Sequence, residues 1–581
     1  MVNTLLTLHD PALAAAYKDA GIWRGETLYH LLARHAAATP RRWALRDGTR
    51  RLTWAGLRSW VDSVAGDLDA GGIRRGQRVS VWLPNRVEAL VVFLACSRNG
   101  YVCNPSLHQN YTVAEIAGLL ERIEAAAFFA QTGYGADGRD NDVFAAARRL
   151  PAMKRVYRLE PHGAPGSGAM PEGAAPGPAT ARGGADLPFP PVEPQGSPQA
   201  DPVANADKVV YLAFTSGTTG APKAVMHSDD TLLANGRAMV ADWRHGPDTV
   251  LLSLSPMSHH IGTVALEQAL VAGCELVVND PPAGARPLDW ILETGATYIM
   301  GVPTHAIDIL ADLRRRGMTA MGVVTVFYMA GAPIPQETAR RFLALGIRPQ
   351  NVYGMTENGS HQYTRPDDDV DTIVATCGRA CAAYDVAIWQ PDAPDVAAAP
   401  GAIGEIGGRG GCLMLGYFGN QSATESAFNR HGWFMSGDLG RIDANGNLEV
   451  VGRKKDLIIR GGHNIHPSRI EDLAKRHPAV LVAAAIPVPD DRLGEKVCLI
   501  LSMEGTPPGA GAILTHLFDA GLSKYDMPEY LAFTDRFPLT PSGKVLKRSL
   551  IDWVKAGTLQ PVPVRWTAPT LSKEPTECPS S

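Results

Sequence analysis

Residues 214–223 read FTSGTTGAPK, two Ser/Thr pairs and two glycines set between an apolar run and a lysine. The preceding VVYLAF (209–214) is β-branched and aromatic and of strand length, so the polar stretch leaves the end of a buried strand. Gly217 and Gly220 admit backbone conformations that other residues resist. The hydroxyls of Thr215, Ser216, Thr218 and Thr219, with loop N–H groups and the Lys223 ammonium, can surround a cluster of anionic oxygens. The stretch therefore reads as a phosphate-holding loop, with a plain polar turn between two strands as the competing reading. It is not the common nucleoside-triphosphatase loop, in which lysine follows the last glycine directly and opens a helix. Here Ala221 and Pro222 intervene, the proline holds Ala221 extended, and Ala224, Val225 and Met226 continue as strand.

Upstream of the loop, Leu57, Val61, Val64 and Leu68 recur at helical spacing until Gly71-Gly72. A buried strand at 79–83 and a second helix at 87–99 follow, so the chain opens as α/β. Residues 162–205 shift to Pro, Gly, Ala and Ser with few large apolar groups, and are expected to be a disordered insertion. Downstream, Ser228 caps a helix that begins with Asp229 and Asp230. In LLSLSPMSHHIG (251–262) the adjacent histidines are read on an extended segment, pointing to opposite sides: a poor metal pair. One of them is expected to be structural and the other to line a pocket.

VVTVFYMAGAPIP (323–335) and NVYGMTE (351–357) each read as a strand that ends in a polar or glycine turn. In parallel sheets ligands bind beyond the carboxyl ends of strands, so these turns and the phosphate loop suggest one shared site. There Tyr353 could stack on a base, Thr356 bind a phosphoryl oxygen and Glu357 hold Mg²⁺. The acidic run at 367–371 is read as solvated loop acids. In GWFMSGDLG, Asp438 sits in a tight turn where a carboxylate can accept from both hydroxyls of a ribose. The segment 450–471 runs strand, basic turn, strand, glycine turn, helix, as at a domain junction. Beyond it lies a compact α+β pattern, with PLTPSGK (538–544) presenting Lys544 on a loop.

The chain has 581 residues, enough for a large domain and a smaller one. Its 55 Lys+Arg and 59 Asp+Glu leave a net charge of -4, which offers no field for nucleic acid or anionic membrane. Neither a secretory signal nor a membrane-spanning stretch is read, and a cytoplasmic protein is expected. The eight cysteines form no C-x-x-C pair, which disfavours a zinc site or disulfide framework.

Taken in order over about 330 residues, FTSGTTGAPK, NVYGMTE, GWFMSGDLG, GRKKDLIIRGGHN and PLTPSGK resemble the adenylate-forming (AMP-binding) superfamily of acyl-CoA synthetases, peptide-synthetase adenylation domains and beetle luciferases. The resemblance implies a large multi-sheet α/β amino-terminal domain (1–452), a small mobile α+β lid (453–557) and a disordered tail (558–581). It implies that Thr215 to Lys223 hold phosphate, and that Gly331, Ala332, Pro333, Tyr353 and Gly354 form the adenine-binding turns. Thr356 and Glu357 match the α-phosphate and Mg²⁺ positions, Asp438 and Arg453 the ribose and nucleotide contacts, and Lys455 the hinge. Lys544 matches the lysine that closes over the first half-reaction, His259 the border of the acyl pocket, and Gly461 and Gly462 the pantetheine path. ATP, Mg²⁺ and CoA are the implied cofactors.

Ala224 and Ser436 are conservative departures from the family pattern, whereas His463 stands where the family often has an acid and bears on the thioester step. The expected activity is an acid-CoA ligase acting on a mainly apolar monocarboxylic acid, medium-chain, alicyclic or aromatic. The chain ends after the small domain, which favours CoA over a carrier protein as acceptor. A carrier-dependent adenylating enzyme and a non-catalytic nucleotide-binding regulator are the alternatives; a homodimer is left open.

Overall fold

The structure is a computed structural model that describes residues 6–162, 186–192, 201–215, 222–332, 334–461, 463–539 and 545–566. The chain forms two compact units, Met1–Ser436 with Gly440–Val450, and Gly437–Leu439 with Val451–Ser581. The fold class is the mixed α/β class expected, with a large multi-sheet first unit and a smaller second one.

Two large sheets dominate the first unit. One has seven strands in the order Leu187–Pro188, Arg155–Leu159, Ala125–Gln131, Arg78–Trp82, Val102–Asn104, Val209–Thr215 and Lys223–Ser228. All its neighbours are parallel except the last pair. The other has nine strands, with a parallel centre made of Glu275–Val278, Val250–Ser253, Tyr298–Gly301, Val326–Met329 and Arg348–Met355. Parallel neighbours need crossover connections, and helices supply them. The four apolar positions read from sequence lie buried on the helix Trp54–Ala70, and every residue of the helix Val87–Asn99 is buried. A five-stranded sheet built from Ala393–Ala397, Tyr384–Gln390, Gly404–Gly410, Phe434–Ile442 and Leu448–Arg453 follows.

The second unit centres on the antiparallel pair Val480–Asp490 and Gly494–Met503, with Tyr530–Phe533 parallel to the latter. The helices Pro467–Ala474, Ala510–Asp519 and Lys547–Lys555 pack apolar faces against this sheet.

Four sequence expectations change. Residues 186–192, inside the insertion expected to be disordered, carry the short strand Leu187–Pro188, and Phe189 meets Trp60 edge-on at 5.5 Å. Residues 163–185 and 193–200 lie outside the described residues. Residues 558–566, expected to begin a disordered tail, join the second unit: Val562–Pro563 pairs with Tyr530–Phe533, and Trp566 stacks on Phe518 at 4.4 Å. A large aromatic ring with apolar surface to cover outweighs the polar composition around it. Residues 567–581 lie outside the described residues. The strand expected across 323–329 is confined to Val326–Met329. Finally, His259 and His260 are not on an extended segment: a turn after Pro256 makes His259 the cap of the helix His260–Ala272 and His260 its first residue.

The helix Asp229–Trp243 begins as the sequence implies, with the Ser228 hydroxyl accepting from the Thr231 N–H. Its two first-turn acids are fully buried and tie distant segments together. Asp229 accepts from the Leu28 N–H at 2.9 Å and the Ser97 hydroxyl at 2.7 Å, and pairs with Lys208. Asp230 accepts from the N–H groups of Arg24 and Gly25, both at 3.2 Å. Removing one member of a buried pair strands the other charge, so Asp229→Ala is expected to destabilise the first unit by about 3–5 kcal/mol, read from its urea midpoint, with Asp229→Asn less damaging.

Candidate active site

The strand Lys223–Ser228 is bonded along both edges. On one side it runs antiparallel to Val209–Thr215, with Thr215 opposite Lys223 and Tyr211 opposite His227. On the other side the segment 415–418 is laid against it: Leu415 N–H donates to the Met226 carbonyl, Met226 N–H to the Gly416 carbonyl, and Phe418 N–H to the Ala224 carbonyl. Side chains alternate along a strand, so Ala224 and Met226 enter the core while Lys223, Val225 and His227 share the opposite face. Thr215 and Lys223 thus end up at the mouth of the polar loop, both partly exposed. Ser216, Gly217, Thr218, Thr219 and Gly220 lie outside the described residues.

The second edge places Tyr417 over Lys223, whose ammonium lies 4.6 Å from the ring centroid, a cation–π distance. The Tyr417 hydroxyl donates to a Glu357 carboxylate oxygen at 3.0 Å. Burial, and then the Glu357 charge, push the Tyr417 phenol well above its ordinary pKa, so it stays a donor. Thr356 and Glu357 form the tip of a hairpin between Arg348–Met355 and Gly359–Tyr363. Asn358 ties that tip, accepting from the Met355 N–H at 3.0 Å and donating to the Tyr384 hydroxyl at 3.2 Å. Gly354 is obligatory there, because a Cβ would lie 1.9 Å from the Gly359 carbonyl oxygen. Tyr353 is buried edge-on to His361 at 5.7 Å. At the end of the neighbouring strand Val326–Met329, Gly331 has φ +88° and Ala332 is exposed. Pro333 lies outside the described residues. Mg²⁺ beside phosphates usually takes only one or two carboxylates from protein, a share that Glu357 fits.

His227 joins these pieces. Its Nε2–H donates to the Thr356 carbonyl at 2.7 Å, leaving Nδ1 facing the Thr231 hydroxyl at 3.1 Å. Burial lowers its pKa to about 4, against the opposing pull of the Thr356 carbonyl, so the imidazole is neutral at physiological pH. Its ring stacks on His260 at 5.5 Å, and His259 stacks on His108 at 4.4 Å. His108 is itself held at about 3 by burial and by His259, with Nδ1 3.0 Å from the Ser258 hydroxyl. His259 and His260 are both partly exposed at the head of their helix.

In the second unit, Asp438 and Arg453 approach to 3.5 Å. Lys455 lies in the short turn Lys454–Asp456, where burial and then the Arg453 charge lower its pKa. Gly461 has φ +57° and donates its N–H to the Leu493 carbonyl at 2.7 Å. His463 pairs with Asp526 at 2.8 Å. Gly462 and Lys544 lie outside the described residues.

His227, Tyr417 and Asn358 were missed in the sequence. His227 had a signal, lying two and four residues beyond Val225 and Lys223 on one strand face, whereas nothing local marks Tyr417.

The sequence profile described as AMP-binding enzyme matches residues 32–418, and that described as AMP-binding enzyme C-terminal domain matches 469–544. The chain belongs to the AMP-binding enzyme family. Within this family it is of the AMP-forming acyl-CoA synthetase type. It is similar to the medium-chain fatty-acid–CoA ligase of Escherichia coli (strain K12), 27% identical over 537 residues, or 92% of this chain and 91% of that one. It is similar also to the 2-hydroxy-7-methoxy-5-methyl-1-naphthoate–CoA ligase of Streptomyces carzinostaticus, 31% identical over 93% of this chain and 95% of the relative. Among solved structures, ATP-bound MatB from Rhodopseudomonas palustris superposes with a TM-score of 0.76 at 28% identity, covering 91% of this chain and 99% of that one. No helix among the described residues is long and apolar enough to cross a membrane.

The buried His227 is expected to make the fold less stable in acid. Between pH about 6.5 and about 4 the unfolded imidazole takes up a proton that the folded one refuses, so stability is lost as pH falls through that window. The contribution is about 3 kcal/mol at most. In His227→Gln, which keeps a donor for Thr356, the decline of the urea midpoint from pH 6.5 to 4 is expected to be shallower than in wild type.

Proposed function

We propose that this AMP-binding enzyme couples a mainly apolar monocarboxylic acid to AMP, with release of pyrophosphate, and then transfers the acyl group to the thiol of CoA. The acid is medium-chain, alicyclic or aromatic. The observation that carries this reading is the joining of Lys223, Tyr417 and Glu357 beside Thr356, at the convergent ends of the strands that bear the phosphate loop and the adenine turns. The names of the two relatives, one a medium-chain fatty-acid ligase and one an aromatic-acid ligase, support the same range of acids.

A carboxylate resists nucleophiles because it is anionic and its oxide leaves poorly, and joining it to AMP supplies a leaving group. In-line attack of the carboxylate oxygen on the α-phosphorus forms the P–O bond of the acyl-AMP and breaks the bond to pyrophosphate. That step brings anions together, so fixed donors and positive charge around the α-phosphate lower its barrier. We assign the phosphates to Thr215, Ser216, Gly217, Thr218, Thr219, Gly220, Lys223 and Thr356, and the base to Gly331, Ala332, Pro333, Tyr353 and Gly354. Asp438 and Arg453 are assigned to the ribose, and His259 to the border of the acid. Glu357, aligned by Tyr417, would hold Mg²⁺, which when bound neutralises phosphate charge. His227 positions Thr356 through a neutral N–H. The CoA thiol then attacks the acyl carbon and AMP leaves, with Gly461 and Gly462 on the thiol's path.

The test is acid-dependent pyrophosphate release from ATP across short, medium, alicyclic and aromatic acids, with and without CoA. AMP, pyrophosphate and a CoA thioester from one of them are expected. A CoA-independent burst alone would assign the acyl group to a carrier protein, and no release with any acid would overturn the reading. Within this scheme Lys544→Ala is expected to slow adenylation by about 10²–10³ or more. Lys455→Pro is expected to retain adenylate formation and lose thioester formation, as a hinge requires; equal loss of both half-reactions would argue against that role.

A further inference from the structure

The helix His260–Ala272 carries polar side chains into an apolar interior. Its first residue lies one imidazole away from Thr356, through the stack of His260 on His227. Thr263 and Glu267 follow at three and seven residues, the spacing that keeps side chains on one helical face. Both are buried, with exposures of 2% and 1%, on a helix whose Val264, Ala265, Leu266, Gln268 and Ala269 are buried as well. Neither carboxyl oxygen of Glu267 has a hydrogen-bond partner among the described residues.

Among the described residues Glu267 has no internal partner. The neighbouring helix Asp229–Trp243 closes one side, where a Cβ on Gly236 would fall 2.8 Å from the Glu267 Cβ. Tyr211, Tyr328 and Cys412 are within electrostatic reach, but the tyrosine hydroxyls are directed elsewhere: Tyr328 to the Ser360 hydroxyl at 2.7 Å, Tyr211 towards Thr263 and towards His260 at 3.4 Å. These tyrosines lie four residues before Thr215 and three before Gly331, on the strands that end at the site. Burial drives the Glu267 carboxyl well above the usual carboxylate range, so it is a neutral group with one donor and one acceptor. An unmade hydrogen bond in such a place costs free energy that a bound polar group would recover.

We propose that Glu267 is a specificity-determining residue that hydrogen-bonds a polar substituent on the acid, at the end remote from the reacting carboxylate. The inference rests on the acid-activating reading of the site. With the acid's carboxylate at Thr356, we place its body along this helix, past His260 and Thr263 to Glu267. The seven residues from His260 to Glu267 span roughly 10 Å at 1.5 Å per residue, and His227 stands between Thr356 and His260. The substrate class is then a monocarboxylic acid with an apolar body and one hydroxyl, keto or amide group at the end remote from the carboxylate. A purely apolar tail would leave Glu267 unpaired in the complex as well.

The experiment uses the full-length chain and matched acids, octanoate against 8-hydroxyoctanoate and 2-naphthoate against 6-hydroxy-2-naphthoate, with pyrophosphate release giving kcat/KM for each. Sites built to bond a substrate hydroxyl reject the analogue lacking it strongly, so wild type is expected to favour the hydroxylated member of at least one pair by about 10²-fold or more. Glu267→Leu is expected to bring that ratio to about one or below while leaving the ligand-free Tm no lower, and Glu267→Gln to keep part of the preference, its amide both donating and accepting. Equal kcat/KM within both pairs in wild type overturns the proposal, as does an unchanged ratio in either variant. A Tm loss in Glu267→Leu together with a wild-type ratio in Glu267→Gln makes the residue structural and equally overturns it. Absence of release with every acid is a different result: it removes the acid-activating reading, and this inference with it.

Discussion

The site depends on one strand whose two edges are both occupied. Lys223–Ser228 is antiparallel to the strand that delivers the polar loop, and its other edge is sealed by the segment 415–418. Because side chains alternate with a period of two, this double pairing sets the direction of every functional group it carries. Lys223 meets the Tyr417 ring, Tyr417 reaches Glu357, and His227 holds Thr356. A shift of one residue in register would exchange Lys223 and His227 for Ala224 and Met226 on the site face, leaving the charge buried in an apolar core. The cost of that exchange makes the register well specified.

The electrostatics follow from where each group sits in depth. Lys223, Thr356 and Glu357 are partly exposed at the rim, where charges keep some hydration and need no full set of internal partners. One layer down, His227 and His108 are kept neutral by burial, so they orient neighbours through hydrogen bonds without adding charge. A neutral N–H on the Thr356 carbonyl fixes the hairpin tip without placing a charge there.

Much of the architecture was legible because it rests on local signals. Helical spacing marked Leu57, Val61, Val64 and Leu68, the Ser228 cap marked the start of the next helix, and β-branched runs ending in glycine turns marked the strands that converge on the site. What escaped was set by contacts between distant segments. Tyr417 is joined to Lys223 by strand pairing across nearly 200 residues, and no pattern near it announces this. The adjacent histidines were misread as extended because a turn at Pro256 and a helix start were compressed into four residues. Trp566 was overlooked because composition averages a window, whereas a single indole stacking on Phe518 is enough to anchor one.

Two neighbouring helices show how burial alone fails to define a role. Asp229 and Glu267 are both acids with almost no exposure, on helices that touch at Gly236. Asp229 is saturated: a backbone N–H, a hydroxyl and an ammonium from three distant segments converge on it, so its charge is an organising centre for the fold. Glu267 has none of these, and burial keeps it neutral instead of pairing it. An acid whose partners are built in contributes to stability, whereas an acid left without partners lowers it, as residues shaped for binding commonly do. The contrast places the first in the scaffold and is the ground on which the second is proposed to meet a ligand, since the two are buried alike.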